Sequence, residues 1–212
     1  MTNHNEHYFT AQPQSTGAAR SYSFHVRQKK YTVTTETGVF SSDRLDKGTA
    51  VLLDSYDSGK IELPSDFDGD VVDLGCGAGP LTLVLASTFP EQQVWAIDVN
   101  ERARELCKAN AKAMSLSNVT VASPDAVPID MSISLLWSNP PIRIGKNALH
   151  QLLLEWLPRL SETGIAHLVI NKNLGADSLA NWLVDQEFTV RRSASSKGFR
   201  VLSVTRGIHL DT

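Results

Sequence analysis

Cysteine is scarce: Cys76 and Cys107 are the two the chain holds, far apart in sequence. No CxxC redox pair, four-ligand zinc pattern or disulfide framework can be written from them, so they read as free structural thiols. The six histidines form no HExxH, and no metal site is expected. No apolar run approaches the roughly 18 residues that suggest a membrane span, and Met1 to Arg20 lacks the apolar stretch of a secretory signal. These absences predict a soluble, cytoplasmic chain without membrane contact. A large positive charge is lacking too. At a formal net charge of -3 the chain does not carry the overall footprint of a protein that grips bare nucleic acid. Its cations gather locally, at Arg27/Lys29/Lys30, at Arg143/Lys146 and through Arg191, Arg192, Lys197 and Arg200, each group by itself reading as a solvated face.

What is present is an ordinary globular composition, 42% hydrophobic and 20% charged, enough for one core and an extension. Residues 1–24 are polar and aperiodic and read as a flexible arm with Tyr8-Phe9 as its aromatic anchor, and 207–212 reads as a tail. Residues 25–206 are read as a single domain, with 25–69 an N-terminal hairpin and lead-in and 70–206 the core. Alternation through Tyr31, Val33 and Thr35, then Thr37-Gly38 before Val39-Phe40, predicts a β-hairpin turning at Thr37-Gly38. A short helix around Ala50–Leu53 follows. Beyond it, strands at 71–74, 94–98, 119–122, 133–137, 164–170, 188–193 and 199–205 alternate with helices at about 81–89, 101–114, 147–157 and 177–185. In the helix after Asn100, an N-cap, Ala103, Leu106, Asn110 and Ala113 share one face. Such alternation predicts a doubly wound α/β sheet, mostly parallel, that ends in an antiparallel hairpin.

Two motifs carry the chemistry. Val71-Val72-Asp73-Leu74 runs into Gly75-Cys76-Gly77-Ala78-Gly79-Pro80, where glycines let the backbone turn sharply and approach a ligand. A pyrophosphate-binding loop would need a glycine where Pro80 stands, so the dinucleotide fingerprint fails. Asp98, at the end of the next strand, is placed to accept hydrogen bonds from ribose hydroxyls. Loop and acid together fit an adenosine-type ligand without a pyrophosphate. The second motif is Asn139-Pro140-Pro141, directly after Leu135-Leu136-Trp137-Ser138. Two prolines make a stiff exit from the sheet, and an Asn oxygen with a backbone carbonyl can both accept from one NH₂ group. That arrangement suits an exocyclic amine as acceptor.

These residues, with Gly38-Val39-Phe40-Ser41, Asp43 to Gly48 and Lys197 to Leu202, make the chain resemble the class I S-adenosyl-L-methionine-dependent methyltransferases. More narrowly, it resembles the small-domain family that includes the 16S rRNA guanine-N2 methyltransferases. The resemblance implies a Rossmann-like methyltransferase sheet. It implies that Asp73, Gly75, Cys76, Gly77 and Gly79 lie under the methionine part of S-adenosylmethionine, Asp98 and Val99 hold the ribose, and Asp125 lies near the adenine. Asn139 would touch cofactor and target amine, with Pro140 and Pro141 as its catalytic neighbours, and Arg44 and Asp46 would belong to a loop over the cofactor. Many relatives follow Asn-Pro-Pro with an aromatic platform; here Ile142 and Arg143 stand there. Ile142, Arg143, Lys172 and Arg200 are the expected substrate contacts. The implied activity is N-methylation of RNA, most specifically guanine-N2 of ribosomal RNA, free or in an assembled small subunit. Methylation of a protein glutamine and a non-catalytic RNA-binding assembly factor are the alternatives. Oligomeric state is not legible.

Overall fold

Strands buried on both faces are apolar throughout rather than alternating. Ile133–Ser138 fits that rule, with all six residues buried, and it forms β6 of a computed structural model that describes residues 19–36, 44–140 and 145–207. The elements run β1 (Arg20–Val26), β2 (Lys29–Thr35), α1 (Lys47–Asp57), β3 (Asp70–Leu74), α2 (Pro80–Thr88), β4 (Val94–Ile97), α3 (Glu101–Ala113), β5 (Val119–Ala122), β6, α4 (Lys146–Trp156), β7 (Leu160–Asn171), α5 (Ala176–Asp185), β8 (Phe188–Ser196) and β9 (Phe199–Arg206). The main sheet has seven strands in the order β5-β4-β3-β6-β7-β9-β8, and β1-β2 form a separate two-stranded sheet. Parallel pairing of β4 with β5 and of β6 with β7, followed by the antiparallel β7-β9-β8 set, matches the expected architecture. No helix among the described residues is long and apolar enough to cross a membrane.

Contacts divide the chain into two compact units, 1–46 with 72–128, and 47–71 with 129–212. The first holds the hairpin, which departs from the sequence reading. Its strands are β1 and β2, paired from Arg20↔Thr35 to Val26↔Lys29, so β1 takes up residues expected in the arm. Its turn is Arg27-Gln28, with φ of 46° and 64°. A two-residue turn of that kind needs positive φ at both positions and normally announces itself with Asn-Gly. Here no such signal exists, and Thr37-Gly38, which drew the prediction, lies outside the described residues with Val39-Phe40. On α3 the inward face is Ala103, Leu106, Cys107, Asn110 and Ala111; Ala113 is exposed, one step off the predicted stripe. Asn100 caps the helix, its Oδ1 accepting from Ala103 N at 3.2 Å.

The second unit packs Tyr56 of α1 edge-on against Trp137, both fully buried, with ring centroids 5.2 Å apart. Strand β7 begins at Leu160, earlier than the predicted Gly164, because Leu160 pairs with Ile133 before a register shift lets Ile165 pair with Leu135. Gly164 lies in the shifted stretch, where a Cβ would fall 2.4 Å from the Ile133 carbonyl oxygen. The same stretch helps hold Asp68, whose Oδ1 accepts from Ser161 Oγ at 2.6 Å and from Ser134 Oγ at 3.2 Å. Those hydroxyls, Ser161 first, keep its carboxyl below the usual range. Deeper in, His167 is fully buried on β7. Its Nε2 donates to the Glu62 carbonyl at 2.7 Å and its Nδ1 accepts from Ser203 Oγ at 2.9 Å, a tautomer assigned from the carbonyl, which cannot donate. Burial depresses its pKa to about 4, so the ring is neutral.

Candidate active site

The glycine loop joins β3 to α2. Gly79 is the N-cap residue at φ 90°, and Pro80 opens the helix, the position where a missing N–H costs nothing. That is the local reason Pro80 replaces the glycine of a dinucleotide loop. Gly75 N and Cys76 N both donate to the Ile97 carbonyl, at 2.8 and 3.0 Å, and Gly77 N donates to Asp98 Oδ2 at 2.9 Å. The end of β4 thus shapes the loop. A Cβ on Gly79 would stand 2.7 Å from Cys107 Sγ, so packing demands glycine there. At Gly77, φ is 55° and the space a Cβ would enter is open. Cys76 turns its side chain inward to a cluster with Ala96 and Cys107, leaving its backbone as the part available to a ligand. Both thiols are free and buried, as expected.

Asp98 is held from several sides. Its Oδ1 accepts from Asn100 N at 2.9 Å, and its carbonyl accepts from Arg104 Nη1 at 2.8 Å. Burial raises its pKa, against the pull of the two backbone donors. Each carboxylate oxygen retains a lone pair beyond these bonds, the capacity a ribose diol needs. Val99 beside it is 50% exposed, an apolar side chain left in solvent next to the acid. Asp125 is exposed in a 3-10 turn (Pro124–Ala126), its pKa lowered by Ser123. Arg104, which grips the carbonyls of both Asp98 and Val99, was not anticipated, because an arginine in a charged helix looks like a solvated residue.

At the base of the loop, Asp73 is fully buried. Its Oδ2 accepts from Thr82 Oγ1 at 2.5 Å, and its Oδ1 has no partner among the described residues. Burial pushes its pKa up to about 7. A buried acceptor without a donor is costly unless something fills it. A ligand bearing an ammonium group supplies that donor, and the glycine backbone and Asp98 suit an adenosine; an amino acid joined to a nucleoside fits this donor set.

In the second unit, Ser138-Asn139-Pro140 ends β6. Asn139 is half-buried and donates through Nδ2 to Thr49 Oγ1 of α1 at 3.1 Å; Pro140 is buried. The bond fixes which end of the amide faces Thr49, leaving Oδ1 as its acceptor end. Thr49 was missed, since a threonine near a helix start reads as a cap. Pro141, Ile142 and Arg143 lie outside the described residues, as do Gly38–Ser41 and Asp43. Among the expected substrate contacts, Lys172 is exposed, while Arg200 bonds Asp177 at 3.0 Å. Asp177 also takes Arg192, at 3.2 Å, Glu62 takes Arg191 at 2.7 Å and Asp54 takes Lys197 at 3.0 Å. Arg191, Arg192, Lys197 and Arg200 are therefore each paired with an acid.

Residues 30–203 match the model of the methyltransferase small domain. The chain belongs to that family. By membership it is a methyltransferase small domain. This methyltransferase small domain is similar to YbxB, an uncharacterized Bacillus subtilis protein, at 33% identity over 95% of this chain and 98% of YbxB. It is 30% identical to the ribosomal RNA small subunit methyltransferase C of Shewanella sediminis over 87% of this chain. The alignment spans 52% of that protein, so the small domain covers about half the length of such relatives. Among solved structures it resembles a T. thermophilus 16S rRNA methyltransferase (RsmC) in complex with AdoMet and guanosine. The TM-score is 0.73 at 22% identity, over 92% of this chain and 52% of that one, a likeness of fold.

Proposed function

We propose that residues 25–206 act as one methyltransferase domain that methylates an exocyclic amine of ribosomal RNA, the amine being guanine-N2. The observation that carries the reading is Asn139, an amide fixed by Thr49 at the end of a fully buried strand and followed by prolines. The names of the curated relatives support RNA as the acceptor. When bound, S-adenosylmethionine supplies a methyl group made electrophilic by its sulfonium.

The chain's own residues do the rest by holding and aligning. The Gly75–Gly79 backbone and Asp73 hold the methionine part, Asp98 the ribose, and Val99 and Asp125 flank the adenosine. Asn139 Oδ1 and the Pro140 carbonyl accept the two amine hydrogens, which turns the nitrogen lone pair out of the base ring. As the new carbon–nitrogen bond forms, the amine sheds a proton to solvent. Ile142 and Arg143, with Lys172, are the contacts proposed for the base and its phosphates. A base embedded in a helix has first to be flipped out.

The test is transfer of radiolabelled methyl to 16S rRNA and to assembled small subunits, followed by nucleoside digestion. Label in N2-methylguanosine is expected. The Asn139→Ala protein should lose about 100- to 1000-fold in rate, the range seen when one positioned polar group is removed. Its affinity for S-adenosylhomocysteine should stay within about twofold. Label released by protease instead would assign the chain to protein glutamine. Tight RNA binding with no transfer would make it an assembly factor.

A further inference from the structure

The hairpin Arg20–Thr35 carries Arg20, Arg27, Lys29 and Lys30 and no carboxylate, within a chain whose formal net charge is -3. We propose that the β1–β2 hairpin is the docking surface for the phosphate backbone of the RNA substrate, an inference that rests on RNA being the acceptor. Three observations converge on it.

First, the tight Arg27-Gln28 turn gathers Arg27, Lys29 and Lys30 at one exposed end of the hairpin, Lys30 on the outward face and Lys29 on the Tyr31 side. Lys29 Nζ lies over the Tyr31 ring, 5.6 Å from its centroid, a contact that steadies the ammonium without neutralising it. Neither Lys29 nor Lys30 meets a carboxylate among the described residues. This contrasts with Arg191, Arg192, Lys197 and Arg200, all taken up by Glu62, Asp177 or Asp54. The acid that follows the hairpin, Glu36, is held by Arg102 of α3.

Second, the outward face is a row of hydroxyls leading to that tip. Ser21 Oγ pairs with Thr34 Oγ1 at 3.0 Å, Ser23 Oγ with Thr32 Oγ1 at 2.9 Å, and the next rung is His25↔Lys30. In each hydroxyl pair one hydrogen is spent inside the pair, and the other remains to donate outward. Phosphate oxygens are charged acceptors. A file of O–H donors ending in cations complements a sugar-phosphate strand along about 20 Å of hairpin.

Third, the surface is fastened to the cofactor loop of its own unit. Asn110 of α3 accepts from Thr34 N at 2.9 Å, and its Nδ2 donates one hydrogen to the Thr34 carbonyl at 2.8 Å and the other to the Ala78 carbonyl at 2.9 Å. The inward face adds Phe24 stacked on Tyr31, centroids 5.4 Å apart, above buried Val33 and Thr35. Strand docked on this hairpin is held by an element that shares the Asn110 amide with the glycine loop.

The test is equilibrium binding of 16S rRNA and of assembled small subunits to the full chain over a salt series. It compares wild type with Lys29→Gln/Lys30→Gln and with the charge-keeping Lys29→Arg/Lys30→Arg. The Gln pair should bind RNA about tenfold more weakly at 0.1 M salt, with the slope of log K against log salt shallower by about 1.4, two phosphate contacts at about 0.7 each. The Arg pair should keep the wild-type slope. S-adenosylhomocysteine affinity and the transfer rate at saturating RNA should not change for either, which also reports an intact fold. Wild-type protein that methylates RNA while the Gln pair keeps both affinity and slope would overturn the docking surface. Wild-type protein that methylates protein and no RNA would overturn the reading beneath it.

Discussion

Asp73 in the first unit and His167 in the second are both completely buried, and the two are finished differently. In the second unit His167 has both ring nitrogens bonded, to the Glu62 carbonyl and to Ser203, which in turn meets Ser193 Oγ at 2.5 Å. In the first, Asp73 has Thr82 on one oxygen and nothing among the described residues on the other. A buried polar group with every bond made stabilises the fold and asks for no ligand. One with a bond missing costs about 1–3 kcal/mol until a ligand supplies it. The contrast separates a satisfied residue from a candidate binding residue without reference to sequence motifs.

The strongest way to break the contrast is Asp73→Asn. The neutral amide keeps the shape and removes the charge, so affinity for S-adenosylhomocysteine should fall by about 10- to 100-fold, the worth of a charge-assisted bond. Calorimetry measures it, and unchanged affinity would make Asp73 a structural residue like His167. Stability should move the other way with pH. Because the folded pKa of about 7 lies above the ordinary aspartate value of 3.8, the contribution of Asp73 is present below about pH 4 and lost as pH rises through 7. Relative to wild type, Asp73→Asn should gain about 1.4 kcal/mol per pH unit across that window, read by denaturant titration.

Next in size is His167→Leu, which leaves the Glu62 carbonyl unpaired and takes from Ser203 one of its two hydroxyl bonds, and should cost about 3 kcal/mol at pH 7 with no change in transfer rate per folded molecule. The sign of its pH term is opposite. A folded pKa of about 4, below the ordinary histidine value of 6.5, gives stability present above 6.5 and lost as pH falls through 4. Between those limits the two buried groups oppose each other in the wild type, and each single variant should uncover the slope of the other. The smallest effect is expected from Thr49→Val, which frees Asn139 Nδ2: about a fivefold lower transfer rate, for a bond worth about 1 kcal/mol, with cofactor affinity unchanged.

The sheet, and the places of the candidate site residues on it, were legible in the sequence for definite reasons. Apolar runs such as Ile133–Trp137 mark buried strands, and Gly75, Gly77 and Gly79 mark a backbone that comes close to something. Asp98 and Asn139 stand at strand ends, where a polar residue has few other uses. The supporting residues were not legible. Asn110, Arg104 and Thr49 are polar residues on helices, and nothing local distinguishes a clamp from a solvated side chain. The Arg27-Gln28 turn carries no glycine or asparagine, so its strand β1 was read as part of an arm. Arg200 looked available because Asp177, which holds it, is distant in the chain.

One amide ties two jobs together. Asn110 divides the hydrogens of a single NH₂ between Thr34 of the hairpin and Ala78 of the glycine loop. Whatever strengthens one of these bonds stiffens the group that makes the other. Thermodynamic reciprocity then sets a rule for the unit: if occupancy of the glycine loop tightens or loosens the hairpin for its own ligand by some factor, occupancy of the hairpin changes the loop's affinity by that same factor. Order of arrival would be immaterial to the final affinity, and Asn110→Ala should bring the factor toward one.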